Sequence, residues 1–174
     1  MNAADFGVRP CGPNDAEALS LVAQATILET YAGVSEGSDL YTYVSSALSV
    51  EKFRDLLSSD GARAWIVETT NGRCAVGYAL LLAEGDPAEP FATAQLERLY
   101  LFHRFHGQGL GKRLLSEVLA FARAQGTKLL TLRVYTLNTQ AIGVYERCGF
   151  KTVAEEPFRA GERDYRVLVM HLTL

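Results

Sequence analysis

The sequence predicts one mixed α/β domain, a sheet layered with helices, on three observations. Apolar stretches of strand type alternate with segments of helical period. The middle of the chain is a three-strand meander, which excludes a doubly wound parallel sheet. A glycine-rich turn joins the last strand of that meander to a long amphipathic helix. With 174 residues the chain suits a single domain over 1–174.

Taken in order, residues 6–9 form a short strand closed by Pro10 and Gly12-Pro13. Asn14 opens a helix with Glu17 three residues on, the reciprocal capping pattern, and Ala18, Leu21, Val22, Ala25 and Leu28 give it an apolar face. A polar, flexible stretch over 33–39 leads to a short helix at 40–47. Ser49 caps another helix through Leu57, with Val50, Phe53 and Leu56 on one side. Residues 64–68 and 74–84 are strands joined at Asn71-Gly72, a strong hairpin signal, and Gly85-Asp86-Pro87 ends the pair in a loop. The strand at 94–102 precedes the glycine turn. The helix after that turn runs to about Gln125 on Leu110, Leu114, Leu115, Val118, Leu119 and Ala122, and Gly126 stops it. A strand at 129–135, a helix at 139–147 and strands at 151–155 and 165–172, with a turn at Ala160-Gly161, complete the chain.

Composition narrows the function. A formal charge of −3 offers no field for phosphate backbones, so nucleic acid is not a partner. Cys11, Cys74 and Cys148 have neither disulfide nor metal-ligand spacing, and His103, His106 and His171 make no metal cluster with them. They read as three reduced thiols, mostly buried, in a cytoplasmic protein. The acids Asp5, Asp15 and Glu17 interrupt any leader, and the longest apolar run, near 76–83, is too short to span a bilayer.

The glycine turn is an anion site by construction. Small residues let backbone approach a phosphate, and the unpaired N–H groups of a helix start point at it. His106 and Arg113 stand where a Walker loop needs Gly and Ser or Thr, and Lys112 stands where the dinucleotide fingerprint needs its third glycine. A tight turn with no ligand is the alternative.

The run Leu99-Tyr100-Leu101-Phe102-His103-Arg104-Phe105-His106-Gly107-Gln108-Gly109-Leu110-Gly111 resembles the acetyl-CoA motif of the GNAT superfamily of acetyltransferases. A second signature of that family follows in Asn138, Ala141, Tyr145 and Gly149-Phe150. The resemblance is strong over 94–153. It implies a mixed, splayed sheet flanked by helices on both faces, with acetyl-CoA as cosubstrate, no metal, and direct transfer to an amine. The stretches from Glu29-Thr30 to Phe53 and from Pro157-Phe158 to Met170 are similar to bacterial polyamine (spermidine/spermine) N-acetyltransferases, which implies a small-molecule amine or polyamine acceptor.

Carried onto this sequence, the family pattern assigns the pantetheine contacts to the backbone of Leu99 and Leu101. The pyrophosphate falls to the N–H groups of Gly107, Gln108, Gly109, Leu110, Gly111 and Lys112, with His106 beside them as a further cofactor-binding residue, the cofactor arm to Asn138, and the general acid to Tyr145. His106 departs from the usual Gln or Arg; either a cationic ring there would strengthen cofactor binding toward acidic pH, or it is a solvated loop histidine with no role. Residue by residue, Tyr145 is either this acid or an ordinary core aromatic, and Glu97 is either a base, directly or through water, or a surface acid paired with Arg98. Gln95 shares the face of Glu97 in a regular strand, and a bulge would break that parity. Tyr31, Glu36 and Asp39 are candidates to receive a cationic amine. Phe158 and the final strands would support a homodimer. A protein or peptide acetyltransferase and a non-catalytic acyl-CoA-binding module remain open beside the small-amine enzyme.

Overall fold

The computed structural model describes residues 5–85, 88, 90–160 and 163–174. Among them, seven strands build one sheet: β1 (Phe6–Pro10), β2 (Ala62–Thr69), β3 (Ala75–Ala83), β4 (Thr93–Leu101), β5 (Leu129–Tyr135), β6 (Lys151–Ala160) and β7 (Arg163–Thr173). Their order across the sheet is β1-β2-β3-β4-β5-β7-β6, and β4 with β5 is the parallel pair in an otherwise antiparallel ladder. The helices are α1 (Ala16–Tyr31), α2 (Gly37–Ala47), α3 (Val50–Ser58), α4 (Leu110–Ala124) and α5 (Thr139–Arg147). No helix among the described residues is long and apolar enough to cross a membrane.

Strand alternation divides the interior in two. Trp65, Val67, Ala79 and Leu81 pack with Leu114, Leu115 and Val118 of α4 and Tyr145 of α5. Ala64, Ile66, Tyr78 and Leu80 point the other way, onto Leu19, Ala23 and Ile27 of α1, Leu40 and Val44 of α2, and Phe53 of α3. The expected mixed sheet with helices on both faces is therefore the observed one.

Most elements lie where the residue pattern puts them, and β5, α4 and α5 match it closely. Ser49 caps α3 by accepting from the Lys52 N–H at 3.2 Å. The start of α1 is different. Pro13–Asp15 is a turn of 3-10 helix, and the Asp15 carboxylate closes that turn by accepting from the Gly12 N–H at 2.9 Å while Arg9 grips it at 2.8 Å. Asp15 rather than Asn14 is the N-cap of α1, without a side-chain bond to it. The buried face of α1 also differs, running through Leu19, Ser20, Val22, Ala23, Thr26 and Ile27, and Leu21 is 63% exposed. Ser20 and Thr26 tolerate burial because their hydroxyls donate to the carbonyls of Leu48 (2.6 Å) and Val22 (2.8 Å). The stretch expected to be flexible over 33–39 is partly helical, since α2 begins at Gly37. The final hairpin is longer than expected. Gly161 of its turn, with Asp86 and Pro87 of the earlier loop, lies outside the described residues. The cysteines are less buried than expected: Cys74 is exposed, and Cys11 and Cys148 are half-buried.

Strand β4 carries two irregularities. Leu80 pairs with Arg98 but Leu81 pairs with Leu96, so Glu97 is the extra residue of a β-bulge. Ala94 and Leu96 before the bulge and Leu99 and Leu101 after it therefore all pack toward α4. The second irregularity is the short partnership with β5. It covers only Thr93–Leu96 against Leu129–Leu132, although β4 continues to Leu101 and β5 to Tyr135. The two strands part, as the splay implied by the resemblance requires.

Burial pushes the phenols of Tyr31, Tyr78 and Tyr100 above their ordinary value, the Tyr145 phenol up to about 12 and the Cys11 thiol up to about 12. Each folded-state pKa is raised, so above pH ~9–10 the unfolded chain sheds protons that the folded chain keeps. Stability should hold through neutral pH and fall as pH rises through ~10 toward ~12. Urea midpoints measured from pH 7 to 11 should show that decline, and a flat profile would contradict it.

Candidate active site

The gap left between β4 and β5 opens into a cleft of about 460 Å³. The Phe102 N–H donates to the Val76 carbonyl at 3.0 Å, which fixes the phase of the antiparallel ladder with β3. Tyr100 and Arg98 share that phase and turn their backbone groups to β3. Leu99 and Leu101 consequently turn theirs into the gap, a free strand edge two residues deep. At Gly77, opposite Leu101, a Cβ would come within 2.6 Å of the Tyr100 carbonyl oxygen and meet the Leu101 side chain. Glycine there lets Leu101 lie over β3 while its backbone faces the cleft.

The glycine turn closes one end. Gly107 and Gly109 hold φ of 75° and 78°, left-handed values that strain any other residue, and the space beside both is open. Gly109 is the N-cap of α4 and offers no capping side chain, so the first N–H groups of a 15-residue helix face the cleft. His106, Gly107, Gly109, Leu110, Gly111 and Lys112 all line it. Gln108 does not. Its side chain turns inward, and its Oε1 is buried without a hydrogen-bond partner. The His106 ring does not reach toward the turn. A carbonyl can only accept, so Nε2 donates to the Leu101 oxygen at 3.0 Å, and the ring lies edge-on to His103 at 5.0 Å.

The other wall is α5. Asn138 starts it, its Oδ1 accepting from the Ala141 N–H at 3.1 Å, so a ligand contact from Asn138 falls to Nδ2. One turn and more along, Tyr145 lines the cleft with its ring against Phe150, centroids 5.7 Å apart. It is 9% exposed, and its raised pKa, caused first by burial, keeps the phenol protonated.

Glu97 is not in this cleft. It lines a second cavity of about 200 Å³ on the α1–α2 side of β4, with Gln95, Tyr31 and Asp39. Although Glu97 is the bulge residue, it keeps the face of Gln95, and Gln95 Nε2 donates to Glu97 Oε2 at 2.5 Å. Arg98 stands 3.6 Å from Glu97 and donates to the Tyr43 hydroxyl at 3.1 Å. Glu36 is outside the lining. Tyr100 lines both spaces and its hydroxyl meets that of Tyr31 at 3.4 Å, so the two cavities adjoin at these phenols.

Sequence reasoning missed the rings that complete the second cavity: Tyr43, Tyr100, Tyr135 and Tyr165. The available signal was Tyr100 itself, a tyrosine in a strand of leucines, immediately between the expected cofactor contacts Leu99 and Leu101. Arg133, also on the wall, donates to Gln95 Oε1 at 2.9 Å, a contact between strands that no local pattern announces.

Comparison with known proteins agrees with this geometry. Residues 31–150 match the Acetyltransferase (GNAT) family. An uncharacterised N-acetyltransferase of Mycobacterium tuberculosis is 33% identical over 161 residues, 91% of this chain and 98% of that protein. Human N-acetyltransferase 8B is 32% identical over 70% of this chain and 54% of its own length. Among solved structures, the PaiA N-acetyltransferase of Thermoplasma acidophilum, in complex with coenzyme A, has a TM-score of 0.79 at 21% identity, covering 97% of this chain and 99% of that one. YncA of Salmonella typhimurium, solved with its cofactor acetyl-CoA, has a TM-score of 0.69 at 21% identity, covering 98% and 94%. With its motifs seated at a splayed strand pair and a family match across most of its length, the chain belongs to the GNAT family of acetyl-CoA-dependent N-acetyltransferases.

Proposed function

We propose that this enzyme acetylates a small primary amine held in the cavity beside Glu97, in a ternary complex with acetyl-CoA in the β4–β5 cleft. The observation that carries the reading is the meeting of the two spaces at Tyr100, with Tyr145 on one side and Glu97 on the other. The free backbone edge at Leu99 and Leu101 suits the pantetheine amides, and the helix start at 107–112 suits the pyrophosphate. Asn138 lies along the arm. The three free cysteines support a reducing, cytoplasmic setting.

The chemistry asks little more of the chain. Glu97 takes a proton from the bound ammonium, directly or through water, and Gln95 holds that carboxylate in place. The freed nitrogen forms its bond to the acetyl carbon, and the carbon–sulfur bond breaks. Tyr145 gives its proton to the departing thiolate and recovers one from the new amide nitrogen. One proton leaves per turnover, the one taken by Glu97. A phenol with a raised pKa suits a donor that must arrive protonated.

Tyr145→Phe tests the acid. It keeps the ring against Phe150, so coenzyme A affinity should be unchanged while kcat falls by roughly 10²–10⁴. An unchanged kcat would remove Tyr145 from the chemistry and favour a binding module.

His106 occupies the Leu101 carbonyl that the pantetheine would use, so cofactor entry has to displace its ring. His106→Ala should lower the KM for acetyl-CoA about 5-fold, the worth of one ordinary hydrogen bond, with kcat unchanged. A raised KM would instead make His106 a direct contact to the cofactor.

A further inference from the structure

We infer that the acceptor is a monocationic primary amine with an aromatic or branched apolar body, in preference to a polyamine or an amino acid. This rests on the reading of the β4–β5 cleft as the acetyl-CoA site. Three charged side chains line the acceptor cavity: Asp39, Glu97 and Arg133. Glu97 is answered by Arg98 at 3.6 Å and Arg133 by Glu156 at 3.5 Å. Asp39, half-buried in the first turn of α2, has no hydrogen-bond or ion-pair partner among the described residues. The cavity thus carries one uncompensated negative charge and calls for one positive charge.

Apart from Ser35 and Gln95, the rest of the wall is hydrocarbon and ring. Tyr31, Tyr43, Tyr100, Tyr135, Tyr165 and Phe158 surround the space, with aliphatic side chains of α1, α2 and β7 between them. Aromatic faces attract a single ammonium and pack the body that carries it. At about 200 Å³ the cavity is small, which suits a compact ligand. A second point of recognition is the Tyr165 hydroxyl, buried and unpartnered on the same wall, which gives the body one polar contact.

The alternatives fail on charge. Each further ammonium of a polyamine would enter apolar surroundings beside Arg98 and Arg133 with no carboxylate left to meet it. An amino acid would bring a carboxylate, and both guanidinium groups are already engaged by Glu97, Gln95 and Glu156. The monoamine matches the charge of the cavity and its lining together.

The test compares 2-phenylethylamine, tyramine and 3-methylbutylamine with putrescine, spermidine and phenylalanine, by thiol release from acetyl-CoA on the wild-type chain and on Asp39→Asn. Coenzyme A binding is measured alongside by calorimetry. The monoamines should exceed the other acceptors at least tenfold in kcat/KM. Asp39→Asn should raise the KM of the monoamines about tenfold at unchanged kcat, because it removes a charge-assisted contact and not a reacting group. Preference for spermidine, putrescine or phenylalanine, or an Asp39→Asn enzyme with unaltered monoamine KM, would overturn the inference. So would coenzyme A binding with no monoamine turned over. Loss of coenzyme A binding itself would instead overturn the reading of the cleft.

Discussion

The four-residue limit on pairing between β4 and β5 governs the rest of this molecule. Parallel neighbours in a sheet ordinarily continue until one strand ends, because every unpaired backbone group near the interior is costly. Here β4 and β5 stop bonding after Leu96 and Leu132 and yet both run on. What keeps β4 in place beyond that point is its other side: the ladder to β3 through Arg98, Tyr100 and Phe102, and the close seat of Leu101 over Gly77. The strand is held on one edge only. Its second edge is left to the cleft, and in this structure the His106 ring covers part of it.

The bulge at Glu97 makes that half-held strand useful on both faces. Without the extra residue, strict alternation would put Leu99 and Leu101 on the α1–α2 side and Tyr100 on the α4 side. With it, the leucines join the core under α4, Glu97 and Tyr100 line the opposite cavity, and Arg98 reaches Tyr43 on its wall. One inserted residue therefore separates the two cavities across the thickness of a single strand, and on the proposed reading it separates cofactor from acceptor. Tyr100 is the partition, and its hydroxyl contact with Tyr31 lies where the two spaces meet.

Much of this architecture is legible in the residues. Hydrophobic period marks β5, α4 and α5, and Gly107, Gly109 and Gly111 between a strand and a helix mark the turn that opens α4. These signals are local, each a property of a few neighbouring residues. The buried face of α1 escapes the pattern because apolar residues occur all round that helix. Its choice of face is settled by Ser20 and Thr26 finding carbonyls, one of them on Leu48. The second cavity is legible only in Glu97, Gln95, Tyr31 and Asp39. Tyr43, Tyr135 and Tyr165 come from α2, β5 and β7, and only the tertiary fold brings them together. The place of His106 in the motif points to the cofactor, whereas its bond to Leu101 depends on how the turn folds back on β4.

Amide hydrogen exchange with and without coenzyme A addresses the fork directly. The Leu99 and Leu101 amides, together with those over 107–112, should slow when coenzyme A is added. The Arg98 and Tyr100 amides, already bonded to β3, should not change. Protection at the turn with none at Leu99 and Leu101 would contradict the account, because the parted strand edge would then have no part in holding the cofactor.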